Sequence, residues 1–444
     1  MGRRMKWISK KWNRLSATKR IFGLLLAGTV LILSITVGLR FWDQSRQKPR
    51  VWMALKQLAE EAADQTYSFV PLFQVIQGGN IKQEGYVNFE RLDTKVLEEK
   101  FAWLVDRTAS SMQYQLAVQQ KEGICSSKIN YQIAEIGALD IESYQTKEKL
   151  IVRIPQIHNS YLRMDTHNIK SQYMDSFLYE VLGEKLVVPE SDFSVEKTPI
   201  FPTEKELKKV NMIATFLEEY KGKEIELWKK IQVKKESETK QIGINGVYED
   251  CSVFHLLLPT ELVEWYLGYI LSDVEIEVKA EWVDLWLYMD DDNHIHCIEM
   301  VLEPERKGTV YPTQILCYLR GEERLLNKIQ IELNIRKETE RMEFWIDFER
   351  QLEEEKQKIF ISVSQINPKK IEFIRTNFTM DLHTGESHIE YKLNLPLIVS
   401  DGEHTIQTLE QVIKEPEGEI VDLFELDLIG FLKFSRDFNF ALFQ

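Results

Sequence analysis

One run of 19 uncharged, mostly apolar residues near the start of the chain, 21–39, constrains its structure most. At about 1.5 Å rise per residue, a helix of this length nearly covers the ~30 Å hydrocarbon core of a bilayer. Eight Lys or Arg side chains precede the run, and no acidic residue does. Because cytoplasmic flanks of membrane helices are rich in these cations, we predict a basic cytoplasmic segment (1–20) and a transmembrane signal anchor (21–42). The predicted localisation is the cell membrane, single-pass, with the C-terminal part extracytoplasmic.

A cleaved signal peptide is the alternative interpretation of this run. It would need a shorter apolar stretch followed by small residues at a cleavage site. Here the run is followed by Arg40, Phe41, Trp42 and Asp43, which are bulky or charged. The sequence therefore favours an uncleaved anchor over a removed leader.

The charge balance limits the partners of the remaining residues. The chain has 56 basic and 70 acidic residues, and nine of the basic ones lie in 1–42, where no acid occurs. Residues 43–444 are therefore strongly acidic. We do not predict nucleic-acid binding, because the affinity of proteins for nucleic acids comes mainly from Lys and Arg side chains that neutralise phosphates. The predicted contact with the membrane is the N-terminal helix alone.

Hydrophobic periodicity divides the acidic part into three segments. Residues 43–66 have apolar side chains at helical spacing (Val51, Ala54, Leu55, Leu58 and Ala62) and are predicted to form a juxtamembrane spacer helix. Residues 67–220 alternate with period two and end in a helical block that includes 169–182 and 203–220. Residues 221–444 return to alternating strands and end in a C-terminal helix. The predicted boundary between two β-rich halves lies near residue 220.

The predicted fold class is α+β: an N-terminal transmembrane helix followed by a mainly antiparallel β ectodomain, as a half-open barrel or curved sheets with covering helices. A strand, an acidic turn and a strand are visible in WLYMDDDNHIHCIEMVLE, residues 286–303. With the anchor and the acidic ectodomain, this layout resembles uncharacterised anchored surface proteins of Gram-positive bacteria similar to the lipoprotein-carrier (LolA- and LppX-like) fold. The resemblance implies a concave apolar cavity and handling of a hydrophobic ligand or a lipoprotein, and no individual site residues.

One short segment, 260–271, has almost no polar face and is predicted to be a helix. Such a helix must be buried on all sides or line a cavity, so an ordinary core helix is the alternative to a ligand pocket. The candidate ligand-lining residues are Leu262, Trp265, Tyr266, Tyr269 and Ile270.

The four cysteines allow three complete pairings but are too few for a disulfide scaffold. Cys297 and Cys317 lie on consecutive predicted strands and are the possible disulfide, with buried free thiols as the alternative. His294 and His296 beside the acidic residues 290–292 fit a solvated hairpin turn better than a metal site, which needs three or four converging ligands. No cofactor and no metal is predicted.

No nucleophile elbow, zinc-protease, P-loop or dinucleotide-binding pattern occurs in the chain, and no catalytic residue is predicted. The predicted function is a non-enzymatic, membrane-tethered extracytoplasmic binding protein for a hydrophobic or acyl-chain-bearing ligand or a lipoprotein. A structural or interaction protein of a cell-envelope assembly is the alternative, and a cell-wall hydrolase is the third possibility.

Overall fold

The computed structural model describes most of the chain after residue 47. The described ranges are 48–92, 110–133, 137–183, 231–244, 247–261, 263–264, 277–278, 281–306, 309–322, 324–337, 340–367, 370–396 and 398–436. Within them the chain divides into two compact units. Unit 1 comprises Met1–Ser68 and Lys208–Asn377, and unit 2 comprises Phe69–Leu207 and Phe378–Gln444. The predicted boundary near residue 220 lies outside the described ranges and stays a prediction.

The described part of unit 1 contains one long helix and most of the shorter strands. Its helix is α1 (Lys48–Tyr67), and a 3-10 turn covers Leu325–Asn327. Its strands are β7 (Gln232–Ile244), β8 (Val247–Pro259), β9 (Glu277–Val278), β10 (Trp282–Met289), β11 (Ile295–Leu302), β12 (Pro304–Arg306), β13 (Thr309–Val310), β14 (Thr313–Leu319), β15 (Lys328–Lys337), β16 (Glu340–Leu352) and β17 (Lys356–Gln365). β18 (Ile371–Asp381) continues from unit 1 into unit 2.

The remaining described elements lie in unit 2. Its helices are α2 (Val70–Gly78), α3 (Ile169–Met174), α4 (Phe177–Leu182) and α5 (Leu428–Arg436). Its strands are β1 (Asn80–Leu92), β2 (Ser110–Gln119), β3 (Ile124–Ile133), β4 (Gly137–Gln145), β5 (Lys149–Ile154), β6 (His158–Asp165), β19 (Ser387–Leu395), β20 (Ile398–Thr408) and β21 (Ile420–Asp422).

Strands dominate the described residues, and the predicted α+β class is therefore wrong. Eighteen of the described strands belong to one hydrogen-bonded sheet. In unit 1 the antiparallel order is β7–β8–β10–β11–β14–β15–β16–β17. In unit 2 it is β19–β20–β1–β2–β3–β4–β5–β6, with β21 added in parallel. Of the predicted helical block, 169–182 forms two six-residue helices, and 203–220 lies outside the described residues.

The prediction of a membrane-spanning anchor is also corrected. In the ranges that the structure describes, the helices are too short or too polar to cross a bilayer. The single-pass localisation inferred from such a helix is corrected with it. The run 21–42 itself lies outside the described residues.

Helix α1 belongs to the core of unit 1 and is not a spacer. Its apolar stripe (Val51, Ala54, Leu55, Leu58 and Ala62) is at most 2% exposed. It forms one hydrophobic cluster with inward side chains of the sheet, including Leu256, Leu285, Leu287, Ile298 and Leu319. Periodicity identified the buried face correctly, because i, i+3 and i+4 positions share one side of a helix. It could not show what that face packs against.

Polar contacts fix both ends of α1 on the sheet. Near its start, the Arg50 guanidinium donates to Asn293 Oδ1 and to the Asp290 carbonyl, each at 2.6 Å. Near its end, Glu61 Oε1 accepts the backbone N–H of Leu326 at 2.7 Å. Asn293 has a φ of 70°, a left-handed conformation that Asn tolerates better than most residues. The turn between β10 and β11 is therefore shaped to receive α1.

Among its described residues, unit 2 has smaller apolar clusters and many polar pairs between strands. One cluster consists of Leu116, Val118 and Cys125, and another is built on Tyr144, Ile151 and Tyr161. Arg153 binds Glu142 Oε2 through Nε at 3.1 Å and Nη2 at 2.6 Å. Arg163 forms a two-point pair with Asp422. Such charge-assisted pairs join β4 to β5 and β6 to β21.

Candidate binding face

The candidate site is the side of the unit 1 sheet that faces away from α1. Because side chains alternate along a strand, residues in register across the strands share this side. One such row is His255, Trp286, Glu299, Leu316, Glu332, Trp345 and Ser364, from β8 to β17. We name this side, with the neighbours of the row on the same strands, the aromatic–carboxylate face. At about 4.8 Å between strands, the row spans roughly 29 Å.

The face differs from the core side in exposure and chemistry. Trp286, Glu299, Glu332 and Trp345 all remain partly exposed, whereas the inward Leu285 and Leu287 are completely buried. The described cluster on this side is built from strand residues: Ile242, Cys251, Val253, Tyr288 and Cys297, with Trp286, Leu316 and Tyr318 packed beside them. Aromatic rings and carboxylates therefore meet on a half-exposed sheet surface.

Glu299 is held in place near the centre of the face. Its Oε1 accepts a hydrogen bond from Gln314 Nε2 at 2.6 Å, and its Oε2 accepts one from the Tyr288 hydroxyl. Lys240 Nζ lies 3.4 Å from the Tyr288 oxygen and 5.4 Å from the centre of its ring. Burial, then the Glu299 carboxylate, raises the pKa of Tyr288, so its hydroxyl stays a donor. The carboxylate is therefore preorganised.

A second group of acids surrounds Trp345. Glu332 lies directly opposite Trp345, and Glu343 and Asp347 flank it on the same face of β16. Burial and the neighbouring charges of Glu343 and Asp347 raise the pKa of Glu332. Trp345 Nε1 donates to Glu343 Oε1 at 3.1 Å, which fixes the indole among the acids. Three carboxylates around one ring produce a local negative potential.

Lysine approaches this ring within the chain itself. Lys370 Nζ lies 5.8 Å from the centre of the Trp345 ring. Cations are attracted to the negative face of an aromatic ring within about 6 Å. The Trp345 ring therefore accepts a cation in this structure.

At the other end of the row, His255 stacks on Trp286. The ring centres are 4.8 Å apart and nearly parallel, at 9°. His255 Nε2 lies 2.6 Å from Asp284 Oδ1, and Nδ1 lies 3.9 Å from Glu236 Oε1. This end is thus pinned by internal partners. Two of the acids around Trp345 also have partners, because Arg341 Nη2 lies 3.9 Å from Glu343 Oε2 and the Ser362 hydroxyl donates to Asp347 Oδ2 at 3.3 Å.

The predicted ligand-lining residues cannot be compared with this face. Leu262, Trp265, Tyr266, Tyr269 and Ile270 lie outside the described residues, so their role stays a prediction.

The predicted disulfide between Cys297 and Cys317 is not formed. Both thiols are free and buried, as are those of Cys125 and Cys251. Cys317 stands opposite Ile298, and Cys297 stands opposite Tyr318, so a one-residue offset separates the two cysteines. Such an offset turns one thiol to the core side with α1 and the other to the aromatic–carboxylate face. Two thiols on opposite sides of a sheet cannot adopt disulfide geometry.

The two histidines of the acidic turn converge on one carboxylate. His294 Nδ1 lies 3.0 Å and His296 Nε2 lies 2.9 Å from Asp290 Oδ2. The backbone N–H of His294 donates to Asp290 Oδ1 at 2.8 Å. These bonds close the hairpin that α1 contacts through Arg50, which is a structural role.

Sequence reasoning missed the residues of the face, although some signal was present. Alternation within 286–303 places Trp286 and Tyr288 on one side of β10. Glu332 and Trp345 come from strands further along the chain, and nothing in their spacing shows that they lie opposite each other. Strand register supplies that information.

Comparisons with known proteins do not assign the chain to a family. No protein-family model and no curated protein matches the chain. Among solved structures, a mutant of Rh. blastica porin is similar at 8% identity and a TM-score of 0.21, over 74% of this chain and 99% of the porin. Pseudomonas putida OprB at low pH is similar at 6% identity and a TM-score of 0.18, over 76% of this chain and 94% of its own. Likeness at this level carries no argument, and the resemblance to lipoprotein carriers stays a prediction.

Proposed function

We propose that this is a non-enzymatic binding protein whose aromatic–carboxylate face recognises a partner chain that presents Arg or Lys side chains from an apolar surface. The observation that carries the proposal is the group of three carboxylates around the half-exposed Trp345. A guanidinium can stack on an indole and bind a carboxylate at the same time, so the two chemistries suit one cationic side chain.

Crowding of like charges supports a cationic partner. Glu332 has a raised pKa because burial and the charges of Glu343 and Asp347 disfavour its ionised form. A partner's cation placed beside Glu332 would favour the ionised form of that carboxyl. The binding free energy would then include relief of a repulsion that exists in the free protein.

The apolar part of the face supports a partner whose basic side chains project from an apolar surface. Leu316 and Tyr318 are partly exposed and, like Trp286, pack against the buried cluster of this face. Aromatic and aliphatic side chains of this kind form the centres of protein interfaces, with charged groups around them. A partner segment with alternating basic and apolar residues matches both parts.

The experiment measures binding of a synthetic peptide of alternating Arg and Leu by isothermal titration calorimetry. Glu332→Gln removes a carboxylate from the group around Trp345, and Trp345→Leu removes the ring. We expect each to weaken binding by about 10-fold, which corresponds to roughly 1.4 kcal/mol.

The matched control is Glu354→Gln, which removes an equal charge from an exposed turn of unit 1. It should leave the affinity within about twofold. Trp345 lies seven residues before the end of β16 at Leu352, which is roughly 23 Å of strand, and Glu354 follows that end. Exposed charges separated by more than the Debye length of about 8 Å are screened at 0.15 M salt. Equal affinities for Glu332→Gln, Trp345→Leu and Glu354→Gln would show that the acidic protein binds the peptide non-specifically and would refute the proposal.

A further inference from the structure

Unit 2 brings one histidine and two glutamates together on one side of β19 and β20. His388 and Glu390 are two residues apart on β19, and Glu403 of β20 stands directly opposite Glu390. Alternation places all three on the same side of the sheet. One imidazole nitrogen and one oxygen from each carboxylate lie within 4.8 Å of one another. No part of the proposed binding face is involved.

The distances fit a metal ion with nitrogen and oxygen ligands. His388 Nε2 lies 3.6 Å from Glu390 Oε1. Zinc binds imidazole nitrogen and carboxylate oxygen at about 2.0–2.2 Å, so two ligands of a tetrahedral ion lie about 3.4 Å apart. Small side-chain rotations would therefore close the site around an ion.

Neighbouring hydroxyl groups hold two of the three ligands. His388 Nδ1 lies 3.2 Å from Thr405 Oγ1, and a proton on Nδ1 donated to this oxygen leaves the Nε2 lone pair for a metal. The Tyr86 hydroxyl donates to Glu403 Oε1 at 3.3 Å. Hydrogen bonds from outside the ligand set commonly fix the tautomer and orientation of metal-binding histidines.

The charges of the site also favour a cation. Glu390 and Glu403 are directly opposite in an antiparallel pair, and like charges at such positions destabilise the sheet. A divalent ion between them would turn this repulsion into attraction. The imidazole selects a transition metal over calcium or magnesium, which take oxygen ligands.

We propose that His388, Glu390 and Glu403 bind a divalent transition-metal ion, with Zn²⁺ matching the ligand set best. Three protein ligands leave the fourth position of a tetrahedral ion to water. The site is at the surface, with about 41% of the His388 side chain and 50% of the Glu390 side chain exposed.

The test titrates Zn²⁺ into the full chain after dialysis against a chelator, by isothermal titration calorimetry. Wild type should bind one ion at this site. His388→Ala should weaken it by at least roughly 10-fold, and Thr405→Val, which removes only the hydroxyl behind the imidazole, by roughly 10–100-fold. His383→Ala is the matched control, because His383 is exposed in the preceding turn and should not affect binding.

A second measurement separates loss of ligands from loss of folding. Glu390→Gln and Glu403→Gln keep the size of the side chains, and circular dichroism should show an unchanged sheet while Zn²⁺ affinity falls. Co²⁺ should give the visible absorption bands of a tetrahedral site in wild type and not in His388→Ala. The proposal is overturned if wild type binds no Zn²⁺, if His388→Ala binds as wild type does, or if only His296→Ala abolishes binding, which would place the ion at the acidic turn.

Discussion

The core of unit 1 and the clusters of unit 2 bury apolar side chains in very different ways. In unit 1, Leu55 and Leu58 of α1 and Leu285 and Leu287 of β10 are at most 1% exposed. They belong to one continuous cluster between the helix and the sheet. In unit 2, Leu116 packs in a cluster of three residues, and strands are joined by pairs such as Arg163–Asp422. A helix lying along a sheet excludes water from a whole face. We therefore expect unit 1 to depend on apolar packing and unit 2 to depend more on charge pairs.

The largest expected effect tests this comparison directly. Leu58→Ala in unit 1 should lower the free energy of unfolding by about 4 kcal/mol, because a cavity remains in a closely packed cluster. Leu116→Ala in unit 2 should cost nearer 2 kcal/mol, since its small cluster can relax. Urea denaturation followed by circular dichroism measures both. Equal losses would break the distinction between the two units.

The acidic turn of unit 1 should produce a pH dependence. Burial tends to raise the pKa of Asp290, but hydrogen bonds from His296 and His294 hold it below its usual value of 3.8. The ionised carboxyl therefore stabilises the fold above about pH 4, and this contribution is lost as the pH falls through the lower folded pKa.

Asp290→Asn should accordingly lower the free energy of unfolding by about 1.5 kcal/mol at pH 7, because the substitution removes hydrogen bonds to a charged carboxylate. The difference from wild type should shrink below pH 4 in denaturation experiments. Asp292→Asn, in the same turn but exposed, is the control. A pH-independent difference would mean that the turn acts through packing rather than charge.

Unit 2 should respond to salt. Arg163→Gln removes the two-point pair with Asp422 and should cost about 0.5–1 kcal/mol at low ionic strength, because both side chains are partly exposed. Denaturation at 0.05 and 1 M sodium chloride should show this cost decreasing with salt. A cost that stays constant would indicate a steric role for Arg163.

The smallest expected effect has the opposite sign. Because the folded pKa of Glu332 is raised, its ionised form destabilises the fold at pH 7, and stability rises as the pH falls through that pKa. Glu332→Gln should therefore raise the free energy of unfolding of unit 1 by a few tenths of a kcal/mol, while it weakens binding of the Arg–Leu peptide. Thermal unfolding with and without peptide tests both. Loss of stability in this variant would argue that Glu332 has a structural role.

Sequence reasoning identified local features better than their partners. Helical spacing found the buried stripe of α1 from Val51 to Ala62, but the interpretation as a spacer was wrong, because its covering sheet begins more than 160 residues later. Alternation found strands such as 85–89 and 128–133, which lie in β1 and β3. The α+β class predicted from the same patterns was wrong, because strands dominate the described residues. The face around Trp345 and the ligand set at His388 both depend on strand register, which periodicity within one strand does not encode.

The discontinuity of the two units has a consequence for synthesis on the ribosome. β1 ends at Leu92, yet its partner β20 begins at Ile398, about 300 residues later. At a translation rate of roughly 5–20 residues per second, one edge of β1 stays unpaired for about 15–60 s before β20 is synthesised. Unpaired strand edges attract other chains. The nascent protein is therefore most exposed to aggregation during translation, and a C-terminal truncation before β20 should yield insoluble product rather than a smaller folded unit.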